Sequence, residues 1–163
     1  MWREAIEKEL KQLDDYDTFR IPNKGETLKD HKLIQYHIVF DVKFDLRRKA
    51  RLVANGNMAD TPDDTTYSGV VSLESIRMLF LLAEINNLDI WAADVGNAYL
   101  YSKTKEKVFV IGGEEFGTDR KGKPLSIHKS LYGLATSSAH FHEHLAKKLC
   151  TMGFKPSKAD ANL

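Results

Sequence analysis

The chain has one cysteine, Cys150, so no intramolecular disulfide forms, and its longest uninterrupted apolar run is only Met78 to Ala83. The first absence fits a reducing compartment. The second excludes a membrane-spanning helix, which needs roughly 18 apolar residues in a row. Nothing reads as a signal peptide, an internal repeat or a low-complexity tract. An excess of either charge is also missing, since 24 basic residues face 23 acidic ones for a net charge of +1. The molecule is no polycation, and any contact with nucleic acid has to come from local clustering. Its 163 residues suffice for one domain-sized core.

Within these bounds the pattern is mixed. Trp2, Ile6, Leu10 and Leu13 recur at helical spacing with Glu4, Glu7 and Lys8 between them, which predicts an amphipathic helix ending by Asp15. Asn23 to Glu26 has the composition of a turn. Ile34, Tyr36, Ile38, Phe40, Val42 and Phe44 alternate with more polar neighbours, predicting a long strand with one buried face. Its partner is Arg47 to Ala54. Asp45-Leu46 between them lacks the glycine of a tight hairpin, so the connection is expected to be looser than two residues. Pairing lines Arg47, Lys49 and Arg51 along one face at intervals of about 6.6 Å. That row is either a phosphate-binding rail or a solvated edge whose charges block aggregation.

Residues 55–68 read as a loop, and Ser72 caps a helix running from there to Asn86-Asn87. That helix is apolar on every side, which predicts a place in mid-core with Arg77 in need of a partner. Val108 to Ile111 and Leu125 to His128 read as strands. A final helix carries Phe141, Leu145, Leu149 and Met152 in one stripe and ends at Gly153. The sum is an α+β chain, an antiparallel sheet with packed helices.

Trp91-Ala92-Ala93-Asp94-Val95-Gly96-Asn97-Ala98-Tyr99-Leu100 is the stretch around which the rest is organised. Both faces of residues 88–95 are largely apolar, predicting a buried strand that delivers Asp94 to its end. A carboxylate there needs a cation, donors or a metal, and its hard oxygens suit Mg²⁺. The plainer role is a cap for a helix starting near Asn97.

Asp94 to Leu100 resembles the first metal-binding motif of reverse transcriptases. Arg48 to Gly56 upstream and Lys129-Ser130-Leu131-Tyr132-Gly133-Leu134 downstream resemble, in order, the hallmark segments of copia-type retrotransposon reverse transcriptases, and Met152 to Asp160 resembles the segment that follows. The resemblance implies a fragment of an RNA-directed DNA polymerase of a Pol polyprotein. Its fingers hairpin would span about 32–56 and a partial palm about 70–163 in one truncated domain of 1–163. It further implies two-metal nucleotidyl transfer, in which Mg²⁺ ions activate the attacking hydroxyl and neutralise the leaving pyrophosphate.

Residue by residue, Asp94 would be the catalytic carboxylate and, with the Val95 carbonyl, a metal ligand. Lys49 and Arg51 would hold the triphosphate of the incoming nucleotide. Tyr99 would fill the space of a 2′ hydroxyl, unless it is a plain core aromatic. Thr136 stands where many members carry the Gln that touches nucleotide and template. Arg47, Arg48 and Gly133 would contact nucleic acid. Expected partners are RNA template, DNA primer, deoxynucleoside triphosphates and the remainder of the polyprotein. The setting would be intracellular, in a cytoplasmic virus-like particle with no membrane contact.

The family's other metal ligands come from a Tyr-x-Asp-Asp turn downstream of Asp160, and without that turn the chain alone is expected to be inactive. Asp63-Asp64 and Asp14-Asp15 lack the strand-turn-strand setting of a substitute. The alternative function is a decayed or co-opted nucleic-acid-binding module without catalysis. His140 and His144, one helical turn apart, make only two ligands of a zinc set.

Overall fold

The computed structural model describes residues 2–60 and 64–162, so Asp63 of the first acidic doublet lies outside the described residues. Helix α1 spans Trp2–Asp15 as its periodicity predicts and buries Ala5, Leu10 and Leu13. It packs on a hairpin of β3 (Tyr36–Val42) and β4 (Arg48–Ala54), paired antiparallel from Tyr36↔Ala54 to Val42↔Arg48. The connection is indeed looser than two residues. The Lys43 N–H donates to the Arg47 carbonyl at 2.9 Å and Leu46 takes a left-handed φ of 63°. In β4 the inward residues are Ala50, Leu52 and Ala54, and their neighbours Lys49 and Arg51 are left half-buried. The buried face expected along the whole first strand is found only at its beginning: Ile34 is 1% exposed, whereas Phe40 and Val42 are 49% and 53% exposed.

The main sheet has the order β1-β6-β5-β2, from β1 (Phe19–Arg20), β2 (Lys32–Leu33), β5 (Val108–Ile111) and β6 (Pro124–Ile127). It is mixed and not purely antiparallel as expected, because β2 joins β5 in parallel. A parallel pair demands a long crossover, which here contains the hairpin and the helix that follows it in the chain. Leu13, Ile34, Leu52, Val108, Val110, Leu125 and Leu131 form the centre of the core. Helix α3 (Ser137–Thr151) ends where Gly153, at φ 93°, donates its N–H to the Cys150 carbonyl and Phe154 donates to Leu149.

Two glycines lock the hairpin to the segment before α3. The Ala54 N–H donates to the Tyr132 carbonyl at 2.8 Å, and the Gly56 N–H to the Gly133 carbonyl at 3.2 Å. Gly133 has φ 92°, and a Cβ on it would overlap the Ala54 carbonyl oxygen. A Cβ on Gly56 would in turn overlap the Gly133 oxygen. Backbone meets backbone here because neither position carries a side chain.

Two expectations fail on the other side of the molecule. Helix α2 (Leu73–Ile85) starts at its Ser72 cap, whose Oγ accepts from the Ser75 N–H, yet it does not lie in mid-core. Only Ala83 is buried, and Met78, Phe80, Leu81 and Leu82 are each more than half exposed. Arg77 is exposed as well and therefore has no desolvation to offset. Residues 88–95 are not a strand: they are extended, carry no ladder and remain exposed, with Trp91 at 92%. A strand exists through its hydrogen-bonding neighbours, and none of the described strands pairs with this segment. The stripe on α3 is open too, with Leu145, Leu149 and Met152 36–63% exposed.

Candidate functional site

Helix α1, the β4 end of the hairpin, residues 94–100 and Leu131-Tyr132 enclose a cleft of about 580 Å³. Of the residues singled out from sequence, Arg47, Arg48, Lys49, Arg51, Asp94, Val95 and Tyr99 line it. Four segments separated by dozens of residues thus converge on one concavity.

The period of β4 delivers Lys49 and Arg51 to the same side. Neither forms an ion pair among the described residues. The Arg51 guanidinium lies over the Tyr132 ring, 5.6 Å from its centroid. Tyr132 packs against Tyr99 at 4.8 Å, and Tyr99 against Phe141 at 6.2 Å. This aromatic wall fixes the side of Arg51 while leaving its donors free. Burial, followed by repulsion from Arg51 and Lys43, pushes the Lys49 ammonium below its ordinary range, and Glu9 and Asp94 pull it back up.

Arg47 is turned to Asp45, its Nε donating at 2.6 Å. Arg48 touches the cleft from the opposite face of β4 and lies over the Trp2 ring at 5.4 Å. Asp94 stands on the exposed segment before a tight turn in which Asn97 takes a left-handed φ of 54°, a conformation Asn tolerates. A short 3₁₀ turn, Ala98–Tyr101, follows and holds Tyr99 half-buried.

Thr136 and Gly133 lie elsewhere. Thr136 is 1% exposed at the start of α3, where its N–H and hydroxyl both donate to Glu106 Oε1, at 3.0 and 2.7 Å. Gly133 is held by its backbone contact with the hairpin. His140 meets Asp64 through Nε2 at 3.2 Å, while His144 faces the Tyr101 ring. Asp14 forms a two-pronged pair with Arg120, at 2.5 and 2.7 Å.

A Mg²⁺ centre needs several oxygen ligands at once. Asp94 supplies one carboxylate, and the described residues contain no group of three His, Cys, Asp or Glu side chains able to hold a metal ion. On their own they do not complete a metal centre.

Sequence reasoning missed Glu9, which lines the cleft together with Lys8 and Gln12 from α1. Glu9 Oε1 accepts from the Leu52 N–H at 3.0 Å. A signal was present: Ala5, Glu9 and Leu13 recur at four-residue spacing, which puts an acid in the inward stripe of the helix.

The chain belongs to the reverse transcriptase (RNA-dependent DNA polymerase) family, whose model matches residues 16–163. Within that family it is a copia-type sequence. It is 32% identical over 151 residues to the transposon Ty1-NL1 Gag-Pol polyprotein of Saccharomyces cerevisiae, a match covering 90% of this chain and 8% of the relative. The chain therefore spans a small part of that relative's length. No solved structure matches it. None of the described helices is long and apolar enough to cross a membrane.

Proposed function

We propose that this chain contributes the fingers hairpin and the first part of the palm to an RNA-directed DNA polymerase, and that its cleft receives the triphosphate of an incoming deoxynucleotide. The observation carrying this reading is that Lys49 and Arg51, unpaired among the described residues, share a cleft with Asp94. A guanidinium fork and an ammonium are suited to adjacent phosphates. Tyr99 and Tyr132, whose rings are 4.8 Å apart and tilted by 59°, give a nucleoside an aromatic wall, and the ring of Tyr99 is the group that would exclude a 2′ hydroxyl. Asp94 would be one ligand of the Mg²⁺ that accompanies the triphosphate, its remaining ligands coming from outside the described residues. Arg47 and Arg48, at the cleft's rim, would follow the backbone of the RNA template and DNA primer, and the remainder of the polyprotein would enclose them.

The test is binding by this chain. Replacing Lys49 and Arg51 together with Gln should abolish deoxynucleoside triphosphate binding and reduce the salt slope of single-stranded RNA binding by about 1.4 units, roughly 0.7 per lost phosphate contact. Unchanged affinity and slope would refute it. A second reading, a nucleic-acid-binding module without catalysis, is favoured by the gathering of Arg47, Arg48, Lys49 and Arg51 on one cleft, which suits a phosphate backbone without any chemistry. Mg²⁺-dependent nucleotide binding that Asp94→Asn removes would support the polymerase. RNA binding with no nucleotide affinity would support the module.

A further inference from the structure

Glu9 is a charged group where a neutral one would serve. Its structural task is to accept the Leu52 N–H on the open side of β4, and a glutamine oxygen would do the same. Burial pushes its carboxyl above the ordinary range, although the Leu52 hydrogen bond, Lys49 and Arg51 all act to lower it. An acid kept at such a place weighs on the fold at neutral pH. The helix stripe Ala5-Glu9-Leu13 points it inward, and the tether to Leu52 stops it from travelling to either cation: it is within electrostatic reach of both yet ion-paired with neither.

We propose that Glu9 is the resident counter-charge of the cleft, a positioning residue that competes with incoming phosphate for Lys49 and Arg51 and so restricts the cleft to highly charged polyphosphates. The inference rests on the proposed function in taking phosphate as what the two cations hold. The other charged groups lining the cleft are Lys8 on Glu9's own helix, Lys43, Arg47 and Arg48 on the hairpin and Asp94 across it, and none of them is altered when Glu9 is changed. With Glu9 ionised, part of the cations' field is already neutralised, so a weak anion gains little. Once Glu9 is neutral, the same cations are open to simple phosphate.

Inorganic triphosphate and inorganic phosphate, titrated calorimetrically into the wild type and into Glu9→Gln, test this. At pH 7.5 the variant should bind triphosphate on the order of tenfold more tightly, the effect of removing one nearby charge at the protein surface. It should also acquire measurable affinity for phosphate. The ratio of the two triphosphate affinities should fall to one as pH drops through the Glu9 carboxyl range, because protonation makes the wild type resemble the variant. A purely structural Glu9 would leave the ratio at one at every pH, and that result overturns the proposal. Carboxyl NMR on the wild type gives an independent reading: bound triphosphate should move the Glu9 titration upward, and an unmoved titration refutes the role. If the wild type binds triphosphate and Lys49→Gln with Arg51→Gln abolishes it while Glu9→Gln changes nothing, only the role of Glu9 falls. If the wild type binds no triphosphate at any pH, both readings fall.

Discussion

Gly133→Ala tests the contact that joins the hairpin to the start of α3. A residue with a side chain at φ 92° carries strain of about 1–3 kcal/mol. The new Cβ would also overlap the Ala54 carbonyl oxygen and stand 2.9 Å from both the Ala54 carbonyl carbon and Val53 Cγ1. Two of these neighbours are backbone atoms of a paired strand and yield only by shifting β4, a form of overpacking that costs roughly 1–3 kcal/mol. Such a shift strains the Ala54-to-Tyr132 and Gly56-to-Gly133 hydrogen bonds, each worth about 1 kcal/mol. The expected loss is about 3–5 kcal/mol, a large part of the 5–15 kcal/mol that holds an ordinary domain together. Urea unfolding followed by far-ultraviolet circular dichroism measures it, and two other glycines separate the causes. Gly153 has φ 93° with nothing within 4 Å of its would-be Cβ, so Gly153→Ala isolates backbone strain at about 1 kcal/mol. Gly96 has neither positive φ nor neighbours, so Gly96→Ala should change stability by less than about 0.5 kcal/mol. If Gly133→Ala costs no more than Gly153→Ala, the close approach of the two backbones is not what holds the hairpin.

The remaining predictions concern the C-terminal segment and the open apolar face. Asp160 Oδ2 accepts from the Ser72 N–H at 2.9 Å and the Ser75 hydroxyl at 2.7 Å, and these bonds hold its carboxyl down at about 2. Because the folded value is depressed, the tie persists at all higher pH and is lost only as pH falls through about 2. A carboxyl NMR titration with its midpoint near the ordinary aspartate value would show that the segment does not cap α2. The isolated chain should also self-associate, giving concentration-dependent oligomers in light scattering and binding apolar dyes. A monodisperse monomer at high micromolar concentration with no dye binding would refute that.

What was legible in the sequence was what is encoded locally. The period of α1, the Ser72 cap of α2, the glycine closing α3 and the alternation of the hairpin each lie within a window of a few residues, and each element occurs where it was expected. Strands β1 and β2, two residues each, have no pattern to read, and the parallel joining of β2 to β5 depends on partners some 75 residues apart. The cations and Asp94 were legible through resemblance, since spacing alone left Arg47, Lys49 and Arg51 open to reading as an ordinary charged edge. Thr136 came from the same resemblance; in the fold its hydroxyl donates to Glu106 and it does not line the cleft of Lys49 and Arg51. Glu9 went unread because the apolar stripe of α1 was counted by its hydrophobic members, and the acid among them was passed over.

The failures at α2 and residues 88–95 share one cause. An apolar pattern states that a surface is to be covered, but not by what. Leu88, Ile90, Trp91 and Val95 have the composition of a buried strand and are 44–92% exposed, beside a helix whose leucines and phenylalanine are open on several sides. The total makes the same point without any single residue. The chain exposes 11846 Å², against about 8,200 Å² expected for a compact monomer of its mass. The excess is several times the roughly 800 Å² per partner of a standard protein interface. Part of it lies on α2 and residues 88–95, the segments that the sequence marked as core, so the pattern and the structure agree that these segments present a face to be covered and differ only over whether the described residues cover it. Asp94 sits at the boundary: its backbone belongs to the uncovered face while its cleft is lined by the packed α1 and β4. Covering that face with further protein would therefore also fix the position of Asp94 relative to Lys49 and Arg51, which ties the completion of the fold to the completion of the site.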